Sequence, residues 1–134
     1  MLLCDAAQVS GGKLFILGGG WNLCRPGLPS MAIAVLVKVP WDMANRAFKW
    51  KLQLYDEDGD PLRLGDDGKG VAFEGRFEVG RPPGLKKGQP LQFPLAMNAA
   101  GIPLAGSKGY YWTFEIDGCE YGRVSFFTGS EPHG

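Results

Sequence analysis

The sequence predicts an all-β protein, a single-domain antiparallel β-sandwich of eight or nine short strands spanning residues 1–134. Two observations carry this. Apolar and polar residues alternate over segments of about seven to nine positions, as in Met31 to Val39, Phe48 to Tyr55 and Tyr110 to Ile116, the period of strands with one buried face. Glycine, proline and aspartate clusters punctuate these segments at roughly ten-residue intervals, which favours two packed sheets over an α/β alternation. Nothing in the chain reads as a convincing helix. With 134 residues and 45% hydrophobic content the chain can bury one core, and two domains would be hard to fit.

The first element is a hairpin. Gly11-Gly12 separates CDAAQVS from KLFILGG, and a glycine pair takes φ > 0 at both positions of a tight turn. Leu14, Phe15, Ile16 and Leu17 are apolar without alternation, so the second strand is expected to have protein on both faces and to lie centrally in its sheet. Gly18-Gly19-Gly20-Trp21 superficially suggests a phosphate loop, but no helix start follows it. A bulge or close backbone crossing fits better.

Cys24 to Ser30 is a turn cluster, and Met31 to Val39 is the next strand. Met31, Ile33, Val35, Val37 and Val39 share one face. The other carries Ala32, Ala34, Leu36 and Lys38, unusually apolar for a solvated surface, so a partner subunit is one candidate to cover it. Pro40 to Asn45 reads as a single helical turn capped by Asp42, with Trp41 either a lid on the core or an exposed anchor. The lid is favoured because large aromatics are mostly buried.

Phe48 to Tyr55 leads into Asp56-Glu57-Asp58-Gly59-Asp60-Pro61, with Asp66-Asp67 beyond. Asp56, Asp58 and Asp60 are the candidate metal ligands, for calcium, because carboxylates at alternate positions suit that ion. The glycine falls at position four rather than six, however, and Asp and Gly also dominate hairpin turns. A short strand at Leu62 to Leu64 precedes Val71 to Val79, in which Gly75 suggests a bulge. Gly80 to Gly88 is an extended, basic connection. Leu91 to Met97 contains Pro94, which cannot donate to a ladder, so an edge strand or a bulge is expected. Tyr110 to Ile116, the Asp117-Gly118 turn and the return through Val124, Phe126 and Thr128 form the closing hairpin. A glycine-led tyrosine strand with a phenylalanine-rich return is similar to the last strands of immunoglobulin-like sandwiches.

The ordered set DAAQV, GKL, LGGGW, MAIAV, VPWD, DEDG and FEVGRPPGL resembles a family of small uncharacterised bacterial proteins classed as a domain of unknown function. The resemblance covers nearly the whole chain. It implies a one-domain β-sandwich and brings no activity, substrate or catalytic residue.

Fourteen basic and fourteen acidic residues cancel, which argues against nucleic acid or an anionic membrane as partner. Cys4, Cys24 and Cys119 show no C-x-x-C spacing, and the lone histidine is His133 near the end. That set fits free thiols in a reducing compartment, so the cytoplasm is the expected location. No secretory signal and no membrane-length apolar run are visible. With no histidine beside a nucleophile, no catalytic residue and no cofactor are assigned. A carboxylate pair drawn from Asp5, Glu74, Glu78 and Glu115 is the residual enzymatic option.

Two binding classes remain. One is a self-associating or partner-binding assembly module that uses Ala32, Ala34, Leu36, Trp41, Tyr111 or Phe127, including virion-surface or filament roles. The other is a receptor for a small apolar or carbohydrate ligand, with Trp21, Trp41 and Tyr121 lining a mouth between the sheets.

Overall fold

A computed structural model describes residues 1–27, 30–64 and 68–130. Among them are eleven strands: β1 (Leu2–Ser10), β2 (Lys13–Gly19), β3 (Leu23–Cys24), β4 (Met31–Val39), β5 (Ala47–Asp56), β6 (Arg63–Leu64), β7 (Lys69–Gly70), β8 (Ala72–Glu78), β9 (Leu91–Ala99), β10 (Gly109–Ile116) and β11 (Cys119–Thr128). They form a four-stranded sheet in the order β2-β1-β4-β9, a five-stranded sheet in the order β3-β11-β10-β5-β8, and a two-stranded ribbon β6-β7. The all-β expectation holds, and β6 falls within the short strand expected at Leu62 to Leu64; β3 and β7 are further two-residue strands, too short to carry a period. One pairing is not antiparallel: β3 runs parallel to β11 through Leu23↔Phe127 and Cys24↔Thr128.

The alternating segments bury the faces their periodicity assigns. Met31, Ile33, Val35 and Val39 meet Trp50, Leu52, Leu54, Trp112, Phe114 and Phe126 in one core between the two large sheets. Trp112 is fully buried, and its Nε1 donates to Met31 Sδ at 3.4 Å across the layers. Phe77 stacks on Phe93 at 4.3 Å, tying β8 to β9. Burying a large apolar side chain is worth roughly 1.5–3 kcal/mol, so this cluster supplies the main driving force for folding.

Several local expectations change. Gly75 is in regular register opposite Trp50 and marks no bulge. A Cβ there would come within 2.7 Å of the Trp50 indole, so glycine makes room for the ring. The one-turn 3-10 helix at Trp41–Met43 has Pro40 at its N-cap and no side-chain cap bond, so Asp42 does not cap it. Pro94 does lie on an edge strand, β9, opposite Leu36. The largest correction concerns β2, which is the outermost strand of its sheet instead of a central one.

Candidate functional site

The β1–β2 hairpin turns at Gly11 and Gly12, with φ of 58° and 73°, the left-handed pair a two-residue turn requires. Its register pairs Ser10 with Lys13, Gln8 with Phe15, Ala7 with Ile16 and Ala6 with Leu17. Only Leu2 to Cys4 of β1 pair with β4, at Ala34 to Ala32. Beyond that point the hairpin forms an arm that bends over its own sheet, where Ala7 and Leu14 join Ala32, Ala34 and Ala96 in one small cluster. Asn98 of β9 fastens it: its Oδ1 accepts from the Ala7 N–H at 3.3 Å and its Nδ2 donates to the Ala7 carbonyl at 2.8 Å. A side-chain amide thus stands in for a neighbouring strand. Because Ala7 directs its backbone away from β2, its partner Ile16 directs its own to the opposite, outer side, and so does Leu14. No strand pairs there.

The arm is apolar where water reaches it. Leu14 packs with Cys4, Ala7, Ala32 and Ala34 in a second small core. Phe15, Ile16 and Leu17 remain 56%, 42% and 70% exposed, and Val9 joins them. Exposed edges recruit other strands unless something blocks them. The edge strand β9 carries Pro94, β3 is two residues long, and β8 bears Glu74, Arg76 and Glu78. In β2 the only charge is Lys13 at its start. Among the described residues it is the long edge strand that lacks such a device.

A second feature lies at the other end of the same sheet. There Val35 to Val39 of β4 pair with β9. Beside them opens a cleft of about 490 Å³ between the sheets. Met1, Val37, Met43, Phe48, Phe114 and Ile116 line it, together with Lys38, Tyr121 and Gly122.

The residues singled out in the sequence are scattered. Ala32 and Ala34 are buried by Cys4, Ala7, Leu14 and Ala96 of the same chain, so the expected subunit face is closed internally. Of that face only Leu36, at 44%, and Lys38 are exposed. Trp41 is partly exposed and covered by Arg81, whose guanidinium lies 4.3 Å from the ring and whose Nη2 donates to the Trp41 carbonyl. Tyr111 is held between Tyr55, stacked at 5.0 Å, and Arg123 at 4.3 Å, which leaves it little free surface, whereas Phe127 is exposed. Trp21 packs edge-on against Phe126, so Trp21, Trp41 and Tyr121 do not form one mouth. Of the three, only Tyr121 lines the cleft.

Asp56 Oδ1 accepts from the backbone N–H of Asp58 and of Asp60, which makes the acidic stretch a hydrogen-bonded turn. Among the described residues no three His, Cys, Asp or Glu side chains converge as metal ligands do. Asp66, Asp67 and His133 lie outside the described residues. Glu74 and Glu115 flank Lys51 across β8, β5 and β10, while Glu78 sits further along β8 opposite Ala47 and Asp5 belongs to the other sheet. All three cysteines are free. Burial pushes the Cys4 thiol up, the Asp5 carboxylate adds to the rise, and burial also raises Cys24. No helix among the described residues is long and apolar enough to cross a membrane.

Phe15, Ile16, Leu17 and Val37 are thus the residues that sequence reasoning did not pick as a site. For Phe15, Ile16 and Leu17 the signal was present as an apolar run with no internal charge, read there as a need for burial within the fold, whereas Val37 was read as part of a buried strand face. A family model described as "Family of unknown function (DUF6941)" matches residues 1–127. No curated protein and no solved structure matches the chain.

Proposed function

We propose, from the premise that this chain belongs to that family of unknown function, that it is a non-enzymatic assembly module which associates with copies of itself through the β1–β2 arm. The observation that carries the reading is the unblocked β2 edge, where Phe15, Ile16 and Leu17 stand in water beside unpaired backbone groups. Main-chain pairing at such an edge gives affinity, and the alternating side chains give specificity. The strand order further supports an immunoglobulin-like sandwich, in which β4 and β9 face β5 and β10 and the chain crosses between sheets from β4 to β5, from β8 to β9 and from β9 to β10. Three free thiols, with Cys119 exposed, support a cytoplasmic setting.

The test is light scattering behind a sizing column over a hundredfold concentration range. The wild-type protein is expected at masses above the 14.5 kDa of one chain, and Ile16→Lys at one chain mass. A wild-type monomer throughout the range would sink the reading.

A further inference from the structure

We infer that the arm pairs with the same arm of a second copy, β2 against β2, antiparallel about a two-fold axis at Phe15, so that assembly stops at two chains. The inference rests on the assembly reading above and names the surface the arm meets and its register. Three observations support it. The first is the outline of the free edge. Gly12 and Gly18 have φ of 73° and 61°, so the regular extended run between them is Lys13 to Leu17, centred on Phe15. Within that run the outward backbone groups belong to Leu14 and Ile16, one on each side of Phe15. An edge laid out symmetrically about one residue fits a copy of itself turned through half a rotation. Leu14 of each copy then meets Ile16 of the other and exchanges both N–H···O bonds with it, while Phe15 meets Phe15 in the closer, non-hydrogen-bonded kind of pair. An axis at Ile16 would set Leu14 against Gly18, and an axis at Leu14 would set Ile16 against Gly12, where left-handed backbone interrupts the ladder.

The second observation is charge. Lys13 makes one end of the run positive. At the other end the Asp5 carboxylate lies over Gly18, in the space that a Cβ on that glycine would take. Antiparallel pairing sets Lys13 of one copy opposite Leu17 of the other, next to that carboxylate, whereas parallel pairing would set Lys13 against Lys13. Opposite charges across a ladder stabilise it and like charges weaken it. The third observation is cover. Phe15 and Leu17, 56% and 70% exposed, share a strand face with Lys13. In this register Phe15 packs on Phe15, the Lys13 stem lies along Leu17, and Ile16 comes beside Leu14 on the opposite face. A ribbon of two strands is marginal in water, and pairing makes it four-stranded. Because both copies use the same patch, the interface is isologous and closes at two chains.

The test reads the register with single cysteines in a Cys119→Ser background, since Cys119 is the exposed native thiol, and the background protein serves as the blank. In this register Phe15 opposite Phe15, and Lys13 opposite Leu17, stand about 4.5 Å apart at Cα, within the roughly 4.4–6.8 Å that a disulfide spans. Phe15→Cys is therefore expected to cross-link to itself under mild oxidation. A mixture of Lys13→Cys with Leu17→Cys, which keeps the aromatic pair, is expected to cross-link between the two variants, and neither of these two alone. Light scattering of the wild type is expected to level off at twice 14.5 kDa. If the wild type associates and Ile16→Lys does not, but neither Phe15→Cys nor the mixture cross-links, or the mass grows past two chains, the two-fold inference is overturned and the assembly reading stands. A monomeric wild type overturns both.

Discussion

Replacing Asn98 with alanine should release the arm without unfolding the protein. The Asn98 amide makes two neutral hydrogen bonds to Ala7, at 3.3 and 2.8 Å, in a partly buried setting. Each such bond contributes roughly 0.5–1.5 kcal/mol net, and the longer one belongs at the low end. Their joint loss is therefore about 1.5–2 kcal/mol. At 1.4 kcal/mol per tenfold, the Ala7 amide should exchange with solvent roughly 10- to 30-fold faster. The measurement is site-resolved hydrogen exchange in an Ile16→Lys background, where only intrachain contacts protect the arm. Core amides such as that of Leu52 should keep their protection, because the Asn98 bonds lie outside the core between the large sheets. Asn98→Asp should also lose protection, since it keeps an acceptor for the N–H but turns an oxygen toward the Ala7 carbonyl. Gln92→Ala, on the same strand and without such bonds, should change exchange by no more than a surface substitution does. An unchanged Ala7 rate in Asn98→Ala would refute the account of how the arm is anchored.

Further outcomes follow from the same geometry. Gly75→Ala should lower the denaturant midpoint by an equivalent of about 1–3 kcal/mol, because the new Cβ drives against the rigid Trp50 ring, and tryptophan fluorescence should report the displaced indole. Asp56→Ala should destabilise by about 1–2 kcal/mol in thermal melts by removing the acceptor for two turn N–H groups, while Asp56→Asn should be milder. Calcium titration should leave the wild-type melting temperature unmoved if the turn role accounts for this carboxylate. With a thiol reagent at neutral pH, exposed Cys119 should label first. Cys4 should stay unlabelled without denaturant, because burial and the Asp5 charge raise its pKa and keep it as the unreactive thiol until the pH is taken well into the alkaline range.

How much of this was legible depends on what each pattern encodes. Alternation along Met31 to Val39 and Tyr110 to Ile116 names a buried face directly, and both strands bury it. The Gly11-Gly12 pair names its turn because few residues accept φ > 0 twice in succession. Pro94 marked an edge because it lacks a donor. The run Leu14 to Leu17 stated a need for cover without saying who provides it: Leu14 is covered by its own chain, whereas Phe15, Ile16 and Leu17 stay exposed. Ala32 and Ala34 misled in the opposite direction: they are covered by a strand that bends over its own sheet, and no local pattern encodes that bend. Asn98 had no sequence signal, since a lone asparagine in an edge strand looks like any solvated amide. Gly75 was misread because a gap for a ring and a bulge both call for glycine. The cleft was out of reach for a simpler reason, because its lining comes from residues far apart in the chain, Val37, Phe48, Phe114 and Tyr121 among them.

The separation between the arm and its anchor also has a consequence in time. Residues 2 to 19 fold back on each other locally and leave the ribosome long before Asn98, about 80 residues later, which at 5–20 residues per second is a delay of roughly 4–16 s. A hairpin closes in about 1–10 μs, though a two-stranded one is marginal in water by itself. Throughout that interval the apolar run flickers between open and closed with β9 not yet complete beneath it.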